Sequence, residues 1–429
     1  MILEGRVAPG YERVQRLYER NMRTLAERNT QLCVYVGDEC VVDLWGSAID
    51  DRSFNGDSLV NVFSSGKSLE SILMARLNDQ ALLDYTAPVT RYWPEFGAAE
   101  ANRENGPSGA TTVADVMRHE AGLAAFDTTL PLASLAAGAI KTNAIGAIIE
   151  RQTQRFPVGK DTQREYHAMT RGFIANEIFR RIEPQGRTMG EYLREEISQP
   201  LAADVYLGLQ DAEIERHSKV AMLGFGYQFL QGLIPRALGR RVELNLPQTL
   251  SKLSRMRSGM KRRTTLKAPA PIEGMKQLSV FDSDAVSRGE IPSAAAKCSA
   301  RGLAKLASVM ASGGATGEFQ LLSDQAMAAL HDKTVSRQMM SITTEFTQGG
   351  LAKFGLARET VGQRLDSGMH EGREGYFGWM GLGGSIFQWH PEKRIGFAYV
   401  PTSLNVLDMV NERGKAYQVE VTRALKDLA

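Results

Sequence analysis

Between positions 9 and 29, apolar side chains (Val14, Leu17, Tyr18, Leu25) recur at helical spacing among Arg and Glu, which predicts an amphipathic helix. Two short strand-like runs follow, 31–36 and 39–44, separated by Gly37-Asp38, a tight-hairpin signal. A helical pattern begins near Ser64, and others run between about 84 and 200, at 111–118, 131–151, 170–181 and 189–197. A helix over 299–310 should stop at Gly313-Gly314. Strands are expected again at 351–357, 383–389 and 394–400, then a C-terminal helix from about 404. Strands at both ends with helices between predict an α+β chain, an antiparallel sheet flanked by helices with a mostly helical inserted part. The chain reads as one domain over 1–429, its α/β part at about 1–75 and 295–429. The helical part at about 76–294 contains a basic insertion at about 209–275.

Composition supports a full core: of 429 residues, 43% are hydrophobic and 23% charged. No apolar run approaches the roughly 20 residues needed to span a bilayer. The start, Met1-Ile2-Leu3-Glu4-Gly5-Arg6, lacks the regions of a secretory signal, so a cytoplasmic location is expected. Cys33, Cys40 and Cys298 match neither a disulfide framework nor metal-ligand spacing and read as buried reduced thiols. The net charge of +2 hides an asymmetry: between Arg216 and Lys267, twelve Lys and Arg face one acid, Glu243. The same stretch starts with the apolar run 222–230. This mixture suits an anionic membrane surface, an anionic substrate or an acyl carrier, but the simpler expectation is a solvated cap whose apolar half packs on the body of the protein. Nucleic acid is not an expected partner, because no recognised module accompanies the basic residues.

The chemistry concentrates at Ser64-Ser65-Gly66-Lys67. On a helix, positions i and i+3 share a face, so the Ser64 hydroxyl and Lys67 amine should meet in one cavity. A serine needs a neighbouring base, and a lysine serves only if burial or positive charge lowers its pKa. Val60, Val62, Phe63, Leu69, Ile72, Leu73 and Met74 supply an apolar surrounding. About one chance Ser-x-x-Lys is expected in such a chain. A second copy, Ser258 to Lys261, lies in a polar basic run with no apolar face and reads as accidental. The first copy gains weight from Tyr166 downstream and from a glycine-rich strand with Trp379-Met380-Gly381 near the C-terminus, in the order of a penicillin-recognising serine hydrolase.

With Val113 to Leu123, Tyr166-His167-Ala168, Ser299 to Ala304 and Gly381 to Gly384 added in order, the chain resembles the serine β-lactamase-like superfamily. It is most similar to the carboxylesterases and acyltransferases related to class C β-lactamases, over nearly its whole length except the insertion. The resemblance implies a β-lactamase/transpeptidase-like fold, Ser64 as nucleophile, and Tyr166 with Lys67 as base system. It also implies an oxyanion hole from the Ser64 and Leu382 amides, and no metal or organic cofactor. A phenol with an ordinary pKa of about 10 needs a cation beside it to act near neutrality; which of Tyr166 and Lys67 holds the proton stays open. Gly381 leaves room for close backbone approach. Two positions depart from the β-lactamase pattern: Trp379 stands where a carboxylate-gripping cation is usual, and Ala168 where an asparagine is usual. Both departures favour an apolar acyl or alcohol group over a penicillin. The expected function is therefore ester hydrolysis, with acyl transfer, lactam or peptide hydrolysis, and a non-catalytic lipid-binding or scaffold role as alternatives. The expected partner is a small-molecule ester or acyl substrate; the oligomeric state is not legible.

His119-Glu120 fails as a zinc-protease motif, since Leu123 stands where the second histidine belongs. His119 is expected to fix the turn before Gly122, and His390-Pro391 to be turn chemistry. His370 lies in a Gly-rich loop without an assignable role, and Gly381 to Gly384 lacks a phosphate-cradling pattern.

Overall fold

The strands Asn29–Val36 and Glu39–Ser47 pair antiparallel across Gly37, whose φ of +59° is the conformation a tight hairpin needs and a side chain resists. This hairpin seeds a nine-stranded antiparallel sheet. Its spatial order is Ile2–Val7, Glu39–Ser47, Asn29–Val36, Ile395–Pro401, Ile386–His390, Phe377–Met380, Ala352–Lys353, Ile342–Phe346 and Val335–Met339. N-terminal and C-terminal parts of the chain thus meet inside the sheet, where its third strand, Asn29–Val36, pairs with its fourth, Ile395–Pro401. The computed structural model describes residues 1–97, 111–156, 158, 163–261, 267–340, 342–355, 368–408 and 410–428.

Both sheet faces are covered, which is why the central strands read as near-continuous apolar runs. Along Ile395–Pro401, Ile395, Phe397 and Tyr399 enter one core with Val14, Tyr18 and Tyr417, while Ala398 and Val400 enter the other with Leu303 and Ala307. The first face carries the paired helices Glu12–Thr24 and Glu412–Leu428. The second carries Ala300–Ala311, begun by Ser299, whose hydroxyl accepts from the Gly302 amide. This helix crosses Gly396 so closely that a Cβ there would lie 2.4 Å from the Ser308 nitrogen.

Several expected elements change shape. The stretch 131–151 is three short pieces, Leu132–Leu135, Ala137–Lys141 and Gly146–Ile149, because Asn143 takes a left-handed φ of +68° and its side-chain oxygen accepts from Arg180 and Arg181. The expected 189–197 helix is Met189–Leu193 followed by a wider turn, Arg194–Ser198. The C-terminal helix starts at Glu412 rather than near 404, capped by the Asp408 carboxylate on the Glu412 and Arg413 amides. The expected 351–357 strand is Ala352–Lys353, with 356 and 357 outside the described residues. The strands Ile2–Val7, Val335–Met339 and Ile342–Phe346 were not expected. The last two meet at Met340, with φ of +61°, a turn without the Gly or Asn that signals such a hairpin.

The insertion holds the helices Phe225–Leu233 and Leu246–Lys261 and is tied to the body by short strands, His217–Ser218 beside Leu59–Asn61 and Ala221–Met222 beside Ser403–Leu404. Its apolar half does not pack inward as expected: Phe225, Tyr227, Leu230 and Leu233 are exposed. Among the described residues, no helix is long and apolar enough to cross a membrane. The second Ser-x-x-Lys falls on Leu246–Lys261, and the side chains of Ser258 and Lys261 lie outside the described residues. The three cysteines carry no disulfide. Cys33 and Cys298 are buried, whereas Cys40 is only half-buried, 3.8 Å from Cys33.

Candidate active site

Ser64 sits in a single 3₁₀ turn, Phe63–Gly66, that runs directly into the helix Lys67–Asp79. Phe63 is held at a φ of +46°, a strained conformation for an aromatic residue immediately before the serine. The i, i+3 geometry brings Lys67 Nζ to 3.4 Å from Ser64 Oγ. The amine is buried, 2% exposed, and donates to the carbonyls of Ala168 at 2.7 Å and Ser293 at 3.0 Å. Burial lowers the Lys67 pKa below its ordinary value; nearby Tyr166 and Glu70 oppose this and Arg171 adds to it. A neutral amine has two N–H groups and one lone pair. In that neutral form, with both N–H groups on the two carbonyls, the amine would turn its lone pair to Ser64 Oγ at 3.4 Å.

Tyr166 completes the cluster: its hydroxyl donates to Ser64 Oγ at 2.7 Å, and Lys67 Nζ lies 4.8 Å from the ring centroid. Trp379 Nε1 donates to the same phenol oxygen at 3.2 Å. Trp379 is therefore joined to the Ser64 network through its N–H, besides forming an apolar wall. His119 packs its ring 5.0 Å from that of Tyr166, and its Nδ1 accepts from the His167 amide at 3.1 Å. His167 in turn accepts from the Leu123 amide through Nε2 and donates through Nδ1 to the Glu165 carbonyl. Burial pushes the His167 pKa down to about 4 and that of His119 well below its ordinary value, so both imidazoles are neutral props at pH 7.

The turn Gly381 to Ser385 faces Ser64 and is clamped from two sides. Ser385 Oγ donates to the Val62 carbonyl at 2.6 Å and lies 3.0 Å from Ser65 Oγ. A Cβ on Gly381 would meet Ser385 Oγ at 2.1 Å and the Val62 carbonyl at 2.2 Å, so the close approach this glycine permits is to the Ser64 turn itself. From behind, Asn411 Nδ2 donates to the Gly381 carbonyl at 3.2 Å and the Ser385 carbonyl at 2.9 Å. Arg413 donates to the Gly383 carbonyl and is buried against Glu27 at 2.8 Å. Among the described residues, the Ser64 and Leu382 amides donate to no carbonyl in the turns around them.

In front lies a cavity of about 210 Å³ lined by Ser64 and Tyr166 with Met339, Ile342, Met369 and Trp379 among its walls. Leu382, 41% exposed, stands at its rim. Lys67 does not reach this surface, and none of the described lining residues is a Lys or Arg. Among those residues the one carboxylate, Asp408, is engaged in capping Glu412–Leu428. Of the expected site residues, Ser64, Lys67, Tyr166, Trp379, Gly381 and Leu382 converge. Ala168 does not line the cavity, and it meets the cluster through its carbonyl on Lys67 instead. Sequence reasoning missed Ser293, Asn411 and the support of His119 for Tyr166. None carries a local signal, since Ser293 lies 226 positions from Lys67 and acts through a main-chain oxygen. His390 accepts from the Lys393 amide, the expected turn chemistry, and His370 accepts from Gly355.

The chain is similar to the Esterase/beta-lactamase LipL of Mycobacterium tuberculosis (strain ATCC 25618 / H37Rv), 28% identical over 380 residues, 87% of this chain and 76% of the relative. Among solved structures it resembles a novel penicillin-binding protein homolog from Caulobacter crescentus, with TM-score 0.71, 25% identity and coverage of 99% of this chain and 100% of that one. A family VIII carboxylesterase shares the fold with TM-score 0.73 at 22% identity, covering 99% and 100% of the two chains. The Beta-lactamase family profile matches residues 14–419, and the chain belongs to that family.

Proposed function

We propose that the protein is a serine hydrolase that cleaves carboxylic esters through an acyl-enzyme on Ser64. The observation that carries this reading is the convergence of a buried amine and a phenol on one serine hydroxyl, at an apolar cavity with no Lys or Arg among its described lining residues. Ser64 Oγ attacks the acyl carbon while its proton passes to the neutral Lys67 amine. The carbonyl oxygen becomes an oxyanion facing the Ser64 and Leu382 amides, each such donor worth roughly 3 kcal/mol. As the tetrahedral intermediate collapses, the C–O bond to the alcohol breaks and the departing oxygen takes the Tyr166 proton. Lys67 then restores that proton to Tyr166. Tyr166 suits this delivery because it lines the cavity, whereas Lys67 lies behind it. Water repeats the sequence on the acyl-enzyme.

LipL, whose name records both esterase and β-lactamase, supports the same class. The lack of a Lys or Arg among the described lining residues favours an uncharged acyl group over a substrate carboxylate. A short-chain p-nitrophenyl ester tests the reading: the wild type should turn over and carry an acyl mass increment, and Ser64→Ala should show neither. Equal hydrolysis by both proteins would overturn it.

A further inference from the structure

The helix Phe225–Leu233 is turned inside out. Around its axis Phe225, Phe229, Leu233, Leu230 and Tyr227 form one arc, and Gln228, Gln231 and Gly232 the other. A solvated helix buries the apolar arc, yet here the polar arc packs on the rest of the insertion and, of the apolar arc, Phe229 alone is half-buried. Gln228 is 3% exposed and donates to the Leu223 carbonyl at 2.6 Å, and Gly232 abuts Leu246. Leu230 and Leu233 are 66% and 63% exposed, and Met222, Leu238 and Leu250 stand out beside them. Patches of this kind mark a surface that is covered by a partner.

The charge around it identifies the partner's chemistry. Twelve Lys and Arg accompany a single acid over 216–267, and that acid, Glu243, is paired with Arg236 at 2.9 Å. Lys219 and Arg257 are exposed. Apolar side chains presented outward from a stretch of basic composition match a surface with an apolar interior and an anionic face. The segment is also tied through the main chain to the cavity lining. Met222 pairs with Leu404, the Leu223 amide donates to the Leu404 carbonyl, and the Asn405 amide donates to Gly383, which lines the cavity with Val406.

We infer that the segment Met222 to Leu250 docks the protein on an anionic lipid surface, inserting Phe225, Leu230 and Leu233 at the headgroup boundary beside the cavity. Docking does not depend on the chemistry proposed for Ser64, so Ser64→Ala protein should dock as the wild type does.

The test is flotation with vesicles of phosphatidylcholine alone or containing about one-third phosphatidylglycerol, using wild type, Ser64→Ala and the double variant Leu230→Asp/Leu233→Asp. Wild type and Ser64→Ala should float with the anionic vesicles and stay behind with the neutral ones. Binding should weaken as salt rises from about 0.1 M to 1 M, where the screening length falls from about 10 Å to 3 Å. The double variant should partition at least about tenfold less, because each aspartate removes inserted apolar area and adds repulsion. Both leucines are exposed, so its turnover of a soluble p-nitrophenyl ester and its thermal melt should match wild type. Equal flotation of wild type and double variant, or of anionic and neutral vesicles, would overturn the inference. So would the absence of flotation together with a dimer, or a complex with an acidic acyl carrier, that the double variant abolishes.

Discussion

Replacing Trp379 with Phe separates two roles of one side chain. Phenylalanine keeps an aromatic ring against Phe346 and Tyr166, whose centroids lie 5.3 Å and 6.2 Å from that of Trp379, and removes the N–H that reaches the Tyr166 oxygen at 3.2 Å together with one ring of the indole. A neutral hydrogen bond contributes about 0.5–1.5 kcal/mol net, which corresponds to about a two- to twelvefold change in rate if the bond matters in the transition state. Under the proposed chemistry it does, because the phenol oxygen gives up its proton to the leaving group and the indole N–H then faces a more negative oxygen. The expected outcome is a kcat several-fold lower with KM changed by less than about twofold, measured on p-nitrophenyl acetate, whose small acyl group makes little use of the wall. A longer acyl ester should show the same kcat ratio. Trp379→Phe with unchanged kcat and a raised KM, growing with acyl length, would refute the reasoning and leave Trp379 as a wall only.

Lys67→Met should lower kcat by about 10² or more, as loss of a placed base does. It also carries a stability signature: burial lowers the folded-state pKa of Lys67 beneath that of the unfolded chain, so between the two values the unfolded state binds more protons and wild-type stability rises with pH. The full cost of the buried charge is present below the lowered pKa, so denaturant melts should show the difference between wild type and variant shrinking as pH climbs toward the ordinary lysine range. Asn411→Gly tests the support of the Gly381 turn; glycine is chosen because Asn411 has a φ of +50° that would strain alanine. Losing its two buried bonds should cost about 2–4 kcal/mol in a urea melt and lower kcat by up to about 10² at temperatures where circular dichroism shows the fold intact. Unchanged kcat would mean that Leu382 holds its place without Asn411.

The sequence by itself determined what rests on near neighbours. The hairpin at Gly37, the capped helix after Ser299 and the meeting of Ser64 with Lys67 each follow from a dihedral preference, a cap or a helical repeat spanning a few residues. The family resemblance, through the order of motifs along the chain, pointed to Tyr166 and Trp379, whose polar atoms lie in the Ser64 network. Tertiary structure decided what rests on main-chain atoms brought from far away. The Ser293 and Ala168 carbonyls hold the Lys67 amine beside Ser64, and Asn411 and Ser385 clamp the turn that carries the Leu382 amide. Every residue has a carbonyl, so residue type does not say which one will face an amine. The 131–151 helix was misread for a related reason: its Ala-rich pattern favours a helix locally, but Arg180 and Arg181 engage Asn143 in a left-handed turn that no local preference foretells. The composition of 222–233 predicted an apolar face for the insertion, and only the packing of Gln228 on Leu223 and of Gly232 on Leu246, within the insertion, turned that face outward.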